Sequence, residues 1–429
     1  MKALRVGLCG VGNVGGAVLK LLKESSSLLE QQGGFLFELV QVGARKGRSV
    51  VPYDDVDVTT DLMEVANNPD VDIFVELIGG TEFADELVQT AIRNGKQIVT
   101  ANKALLAIKG DEIFQLAKQN NVQIGFEASV AGGTPVIKAL REGLVANKVE
   151  WFAGILNGTS NYILTEMSVE KTEFSLALSK AQELGLAEAD PTMDIDGTDA
   201  AQKASILAAL AFHVPFNFEA VNYEGIDKVD VEDLKYAEEL GYNIKHIAFG
   251  RLLDNSVFVS AYPTLVPHEV ILSQVGQQMN ALEIYAQGIG STVYYGPGAG
   301  PEPTASAVVA DLVDLAKGGW QAELARHSDN ILRLESSIKV PRYFRLMVKN
   351  EPGVIAKISA VFANQDISIE ALIQHEIKVN NGEQTDEVPV VILSGSVSDQ
   401  IVKELLNQLN DMEEVADCLK QFRIHAKIN

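Results

Sequence analysis

The first stretch of the chain sets a pattern that recurs. Ala3 to Cys9 (ALRVGLC) is a short apolar run, Gly10 to Gly16 (GVGNVGG) interrupts it, and Ala17 to Lys23 (AVLKLLK) returns to apolar positions at helical spacing. This predicts strand, tight turn and helix. Further apolar runs at Phe37 to Gly43, Val71 to Ile78, Gln97 to Thr100 and Val122 to Phe126 alternate with helical stretches such as Glu82 to Asn94 and Asp111 to Asn120. Strands that are apolar on both faces and separated by helices predict a parallel sheet with helices on each side. Residues 1–133 therefore read as a doubly wound α/β domain.

From residue 134 to residue 300 the texture changes. Helical spacing over Pro135 to Leu144, Phe174 to Leu184 and Thr198 to Phe212 mixes with strand-like stretches at Glu150 to Ile155 and Val257 to Tyr262, which predicts an α+β second domain. The small-residue helix Thr304 to Lys317, within 301–320, is expected to return and pack on the first domain. Residues 321–340 read as a polar linker, and 341–429 as an independent unit. In that unit a strand at Tyr343 to Lys349 turns through Asn350, Glu351, Pro352 and Gly353 into a helix at Val354 to Asn364. Strands at Ile367 to Ile377 and Val388 to Leu393, a helix at Asp399 to Leu409 and a strand near Cys418 to Ile424 complete a ferredoxin-like order.

The 429 residues, 47% hydrophobic and 22% charged, suffice for several cores and exclude a mostly disordered chain. A net charge of −23 argues against nucleic acid and anionic membrane surfaces as partners. The first fifty residues run the other way, with seven bases against three acids. Two cysteines, Cys9 and Cys418, form no disulfide framework and point to a reducing, cytoplasmic compartment. No apolar run approaches the ~18–20 residues of a membrane span.

Gly10, Gly12 and Gly15 form GxGxxG between the first strand and helix, the arrangement of a Rossmann-like dinucleotide site. The pyrophosphate would lie against the amides near Asn13 and Val14. The second strand ends in Val42-Gly43-Ala44-Arg45-Lys46, with a base where an NAD-selective acid would stand. This predicts preference for NADP(H) through Arg45 and Lys46, with NAD(H) still usable; a solvated basic loop is the alternative. Six scattered histidines and two distant cysteines offer no zinc spacing, so a lysine is the remaining proton carrier. Lys103 follows the strand QIVT at the carboxyl end of the sheet, and Lys203 stands one turn after Asp199. Both also have plain readings, a helix-start lysine and a surface ion pair. Between Ala181 and Asp199 stand Glu183, Glu188, Asp190, Asp194, Asp196 and Asp199 without one base, which suits a ligand carrying an ammonium group. The spacing around Gly197 does not fit a calcium loop.

The segments AQELGLAEADPTMDIDGTDAAQK (Ala181 to Lys203), GILNGTSNYILTEM (Gly154 to Met167), VTANKALLA (Val99 to Ala107) and GPGAGPEPTASAVVADL (Gly296 to Leu312) resemble homoserine dehydrogenases over about residues 1–320. The segment LMVKNEPGVIAKISAVFANQDISI (Leu346 to Ile369) is similar to an ACT domain. The resemblance implies reversible reduction of L-aspartate 4-semialdehyde to L-homoserine, on the route to threonine, methionine and isoleucine. It implies Lys203 as general acid/base assisted by Lys103; the terminal hydroxyl of homoserine suits an acid/base lysine whose pKa burial lowers toward working pH. Glu188, Asp199, Asp194, Gly158 and Thr159 match substrate positions. Thr100, Lys103, Gly185, Gly298 and Gly300 match nucleotide-side positions. Glu127, Val130, Gly132 and Thr134 match a structural monovalent cation site, usually sodium, formed mostly by backbone oxygens. An amino-acid effector, most often threonine, would sit near Asn350, Pro352 and Gly353, and a homodimer or homotetramer is implied. A non-catalytic sensor of nucleotide and amino acid, or an oxidoreductase for another amino alcohol, are the competing readings.

Overall fold

The computed structural model describes residues 3–45, 53, 56–319, 333–335, 338–374 and 386–425. Lys46 lies outside them, as do residues 320–332 of the connector. Strands β1 (Leu4–Cys9), β2 (Phe37–Gly43), β3 (Asp57–Thr59), β4 (Ile73–Glu76), β5 (Gln97–Thr100) and β6 (Ile124–Gly125) form a parallel sheet in the order β3-β2-β1-β4-β5-β6. Strand order reverses between β1 and β4, so their carboxyl ends open onto a crevice where such sheets bind ligands. The helix Pro301–Ala316 packs back onto this unit, with Ala305, Val308 and Leu312 buried together with Val6, Leu8 and Val18.

The second sheet is larger. It holds β7 (Val149–Ile155), β8 (Asn222–Tyr223), β9 (Tyr242–Leu252), β10 (Ser256–Pro267), β11 (Met279–Ala286), β12 (Gly290–Pro297), β13 (Arg333–Glu335), β14 (Val340–Lys349), β15 (Ile369–Gln374), β16 (Glu387–Val397) and β17 (Val415–Ile424). Its main path runs β12-β11-β7-β9-β10-β17-β14-β16-β15. Helix Thr198–Phe212 lies on one face, and almost all of its residues are buried, Ala200, Ala204 and Leu207 in one core with Ala248 and Val259. A helix buried all round normally carries only apolar side chains. The charged residues on this one are therefore an anomaly that calls for a chemical reason.

The C-terminal unit has the expected βαββαβ order, but it is not structurally independent. β17 pairs in parallel with β10 through Thr264–Arg423 and Leu265–Ile424, so the two units share a sheet. Arg345 reinforces the join: Nε meets Asp233 Oδ1 at 2.7 Å, Nη1 meets Glu232 at 3.1 Å, and the Tyr343 hydroxyl donates to Asp233 at 3.0 Å. Burial pushes the Asp233 pKa up to about 6 against the opposing pull of Arg345. Part of the connector is also ordered, with Arg333–Glu335 running as a strand beside β10.

Candidate active site

The nucleotide cradle follows from three glycines in different surroundings. Gly10 takes φ +100°, and a Cβ there would lie 2.5 Å from the Leu77 carbonyl. At Gly15 a Cβ would lie 1.9 Å from the Gly10 carbonyl, which lets helix Asn13–Glu24 press against the turn. A Cβ on Gly12 would meet nothing within 4 Å, so the space beside it is open for a phosphate to approach the backbone. The helix has no side-chain cap, so its first amides keep their donor capacity. A cleft of about 490 Å³ opens here, lined by Gly10, Gly12, Gly43, Ala44, Arg45 and Ile78 among others. Asn13 and Val14 start the helix at its edge, and Arg45 stands exposed where the second strand has just ended. These residues fit a bound dinucleotide.

The carboxyl ends of β4 and β5 carry a second group. Glu76, fully buried, accepts from the Thr100 hydroxyl at 2.6 Å and from the Ile78 amide at 2.8 Å. Thr100 in turn accepts from the Asn102 amide at 3.0 Å, and the Asn102 side chain caps helix Lys103–Gln119 at Leu105. Thus a buried glutamate fixes the residue from which Lys103 projects.

Lys103 reaches across to the second unit. Its Nζ lies 3.0 Å from Asp199 Oδ1, while Lys203 Nζ donates to Asp199 Oδ2 at 2.8 Å and to the Leu156 carbonyl at 2.7 Å. One carboxylate therefore holds two ammonium groups, one from each unit. Burial opposes the charge on Asp199, but Lys203, Lys103 and the Asn157 amide hold its pKa well below the usual carboxylate range. Asp199 raises the Lys103 pKa, more than burial lowers it. Asp199–Lys203 is not a surface pair, since the two residues are only 5% and 8% exposed.

Asn157, which spacing alone did not single out, ties the acidic segment together. Its Nδ2 donates to Asp194 Oδ1 at 2.7 Å and to Asp199 Oδ2 at 2.8 Å, while its Oδ1 accepts from Ser160 and starts helix Gly158–Glu170. Burial and the neighbouring Asp199 charge push the Asp194 pKa up. Gly158 is required by close approach, since a Cβ there would lie 2.6 Å from the Gln278 carbonyl. The Thr159 hydroxyl donates to the Leu186 carbonyl at 2.8 Å. Glu188 is exposed at the rim, close enough for its charge to help raise the Lys103 pKa. Gly185, also exposed, follows helix Phe174–Glu183 with φ +71°. Asn280 is a second residue the sequence did not reveal. Its amide donates to the same Leu156 carbonyl as Lys203, at 2.9 Å, and Gly298 is the only residue type that fits beside it, a Cβ lying 1.9 Å from its side chain. Gly300, with φ +116°, turns from there into helix Pro301–Ala316.

The turn at Glu127, Val130, Gly132 and Thr134 packs against this loop, Gly132 close to the Gly298 carbonyl. The Glu127 carboxylate is taken by the Ile137 and Lys138 amides at 2.9 and 2.8 Å, which leaves backbone oxygens as ligands. Thr134 Oγ1 is buried without a hydrogen-bond partner, an oxygen that a small monovalent cation would satisfy. No cluster of three or more His, Cys, Asp or Glu side chains suited to a metal ion occurs among the described residues. Cys9 is buried in a core and burial pushes its thiol pKa up, which disfavours a thiolate nucleophile. Asn350, Pro352 and Gly353 are exposed, and the helix Val354–Asn364 that follows has no side-chain cap. No described helix is long and apolar enough to cross a membrane.

Comparison with known proteins agrees with this geometry. Residues 10–127 match the NAD-binding domain of homoserine dehydrogenase, residues 135–313 the homoserine dehydrogenase family itself, and residues 342–411 the ACT domain. A homoserine dehydrogenase of Pseudomonas aeruginosa is 41% identical over 99% of both chains. The crystal structure of a homoserine dehydrogenase from Thiobacillus denitrificans, also 41% identical over 99% of both chains, superposes with a TM-score of 0.92. A hyperthermophilic archaeal homoserine dehydrogenase in complex with NADPH is 26% identical, with a TM-score of 0.64 over 75% of this chain and 100% of that one. The chain, an oxidoreductase with NAD-binding, catalytic and ACT domains, belongs to the homoserine dehydrogenase family.

Proposed function

We propose that the chain interconverts L-aspartate 4-semialdehyde and L-homoserine, with NADP(H) preferred over NAD(H), on the route to threonine, methionine and isoleucine. The observation that carries this reading is the clamp of Lys203 and Lys103 on the two oxygens of buried Asp199. A bound nicotinamide cofactor supplies or accepts the hydride. Lys203 has three N–H groups, of which Leu156 and Asp199 take two, so one remains for the oxygen of the reacting carbonyl. That group gives its proton to the developing alkoxide in reduction and recovers it in oxidation. Lys103 supports the same oxygen electrostatically. Asp194 and Glu188 receive the substrate ammonium, aided by the hydroxyl of Thr159 and the backbone at Gly158. The glycine turn and the helix amides at Asn13 and Val14 hold the pyrophosphate, with Thr100, Gly185, Gly298 and Gly300 on the nucleotide side. Glu127, Val130, Gly132 and Thr134 would hold a structural sodium or similar ion, which would tie the 127–134 turn to the catalytic loop. We assign the enzyme to the cytoplasm, as a homodimer or homotetramer assembled through the middle domain. Following NADPH absorbance on addition of L-aspartate 4-semialdehyde tests the reading. Steady consumption supports it; none with this aldehyde but turnover with another amino aldehyde overturns it.

The cofactor preference has its own test. Arg45 replaces the acid that would bind a ribose hydroxyl, and a charge-assisted contact to a 2′-phosphate contributes ~1.5–3 kcal/mol. Arg45→Ala is therefore expected to raise KM for NADPH by about tenfold or more and to leave KM for NADH nearly unchanged. Equal effects on both cofactors would show that Arg45 does not read the phosphate.

The ACT unit is read as a receptor for an amino-acid effector, threonine first, at the exposed Asn350 to Gly353 turn, whose uncapped amides suit a carboxylate. Millimolar threonine is expected to lower initial rates, and Gly353→Pro to abolish the response while activity without threonine persists.

A further inference from the structure

Away from the two-lysine clamp, a further lysine lies where charge is costly. Ile247 of β9 is buried with Trp151, Leu272 and Val275, on the face of the sheet opposite to Ala248 and helix Thr198–Phe212. Side chains two apart on a strand share a face, so Lys245 enters the same apolar layer, where it is almost fully buried. Its Nζ donates to the Val275 carbonyl at 2.7 Å. Burial alone pushes its pKa down to about 8. Asn161, fully buried in helix Gly158–Glu170, meets the same segment. Its Nδ2 lies 3.2, 3.0 and 3.2 Å from the carbonyl oxygens of Val275, Gln277 and Met279, while its Oδ1 is buried without a hydrogen-bond partner. A leucine would fill that space without stranding an oxygen, so the position calls for the amide hydrogens.

The amide of Asn161 and the ammonium of Lys245 thus serve one turn, residues 275–279, by its carbonyls. Within it Gln277 takes φ +58°, a conformation that residues with a side chain rarely adopt and that the collected carbonyls hold in place. The turn is seated against the substrate end of helix Gly158–Glu170, where the Gln278 carbonyl fills the space that a Cβ on Gly158 would need. Asn280 follows directly. Its amide donates to the Leu156 carbonyl at 2.9 Å, the same oxygen that accepts from Lys203 at 2.7 Å. We propose that Asn161 and Lys245 are positioning residues for proton transfer: by gripping the 275–279 turn they place Asn280, and through the Leu156 carbonyl they aim the Lys203 ammonium, which presupposes the acid/base role of Lys203 given above.

The Leu156 carbonyl needs such support. Strand Val149–Ile155 ends just before it and helix Gly158–Glu170 starts just after Asn157, so Leu156 belongs to neither. Its carbonyl is directed by side-chain donors rather than by a sheet or helix ladder. Lys203 in turn has two anchors, Asp199 and this carbonyl, and together they fix the direction of the N–H group that remains. With the second anchor displaced, the ammonium can swing about Asp199 and away from the reacting oxygen. A shift near 1 Å at such a group costs about 10²-fold in rate, and loss of Lys245, one of the two donors on the turn, is expected to incur part of it.

Steady-state kinetics of the full chain, reducing L-aspartate 4-semialdehyde at saturating NADPH, test this. Lys245→Met keeps the apolar stem and removes a buried charge, so the chain folds. It is expected to lower kcat ~tenfold and to leave KM for NADPH within ~twofold. The solvent deuterium isotope effect on kcat is expected to rise, because proton transfer has become slower. Asn161→Ala, whose vacated space admits a water to the three carbonyls without fixing the turn, is expected to behave alike. On the Lys203→Met background, Lys245→Met is expected to change the residual kcat by less than ~twofold, since residues that act through one group are not additive. Wild-type kcat in either single variant, an unchanged isotope effect, or a second ~tenfold loss on the Lys203→Met background overturns the positioning role and leaves Lys203 as acid/base. Wild-type turnover in Lys203→Met overturns the acid/base role and the positioning role together.

Discussion

Lys203→Met is expected to lower kcat by ~10²–10⁴, the usual contribution of a positioned acid/base, and to leave NADPH binding within about twofold. The substitution keeps the length and the apolar stem of the side chain, so the core helix Thr198–Phe212 retains its packing. What is lost is the donor that bridges the Leu156 carbonyl and Asp199. The glycine cradle lies in the other unit and contains no contact to Lys203, which is why fluorescence titration with NADPH separates chemistry from cofactor binding. The two directions of reaction should fall together, because one group donates the proton in reduction and accepts it in oxidation. A variant that keeps more than about a tenth of wild-type turnover would remove Lys203 from the acid/base role. Lys103→Met is expected to cost less, since Lys103 meets Asp199 alone and is one-third exposed.

How far the chain could be read without coordinates depends on the range of each interaction. The glycine turn is local: Gly10, Gly12 and Gly15 act within one strand–helix junction, so their spacing carries their function. Asp199 and Lys203 are also local, one helical turn apart, yet their burial was not legible. The apolar residues around them lie on all sides of the helix, and the same i,i+4 spacing describes a surface pair. Lys103 was legible by its place at the end of β5, but its partner was not, because Asp199 comes from the other unit. Asn157 stands within a recognisable segment, and only the folded positions of Asp194 and Asp199 reveal why an amide is needed there. Glu76 did leave a signal, a carboxylate ending the apolar run IFVE, and its reason appears only when β5 places the Thr100 hydroxyl beside it. Asn280 left none, as its contact to Leu156 spans 124 residues. The parallel join of β10 to β17 was hidden for the same reason, since it involves two short pairings between units that each look complete.

Asp199→Asn is expected to cost more than its near-identical shape suggests, lowering kcat by at least ~10² and stability by ~3–5 kcal/mol. In the wild type each carboxylate oxygen faces an ammonium group, at 2.8 and 3.0 Å, and Oδ2 also accepts from Asn157. An amide has one oxygen and one NH₂, so whichever way it turns, donors confront donors on one side. The counter-charge is lost as well, leaving two cations facing each other in a desolvated place. With Asp199 neutralised, Lys103 loses the largest influence that raises its pKa, which therefore falls relative to the wild type. Aldehyde reduction, which the Lys103 charge supports at the reacting oxygen, should then decline with rising pH earlier in the variant than in the wild type. The stability difference has a defined window. The Asp199 pKa is lowered on folding, so its contribution is full above the ordinary aspartate value of about 3.9 and is lost as pH falls toward the folded value. The Lys103 pKa is raised, so its contribution is full below the ordinary lysine value of about 10.4 and is lost only as pH rises through the folded value. The gap in Tm between wild type and variant should therefore be constant from about pH 5 to pH 9 and narrow below about pH 3. A gap that instead closes near neutral pH would mean that Asp199 is not an ionised clamp between the two lysines, and the proton-transfer role of Lys203 would need a different anchor.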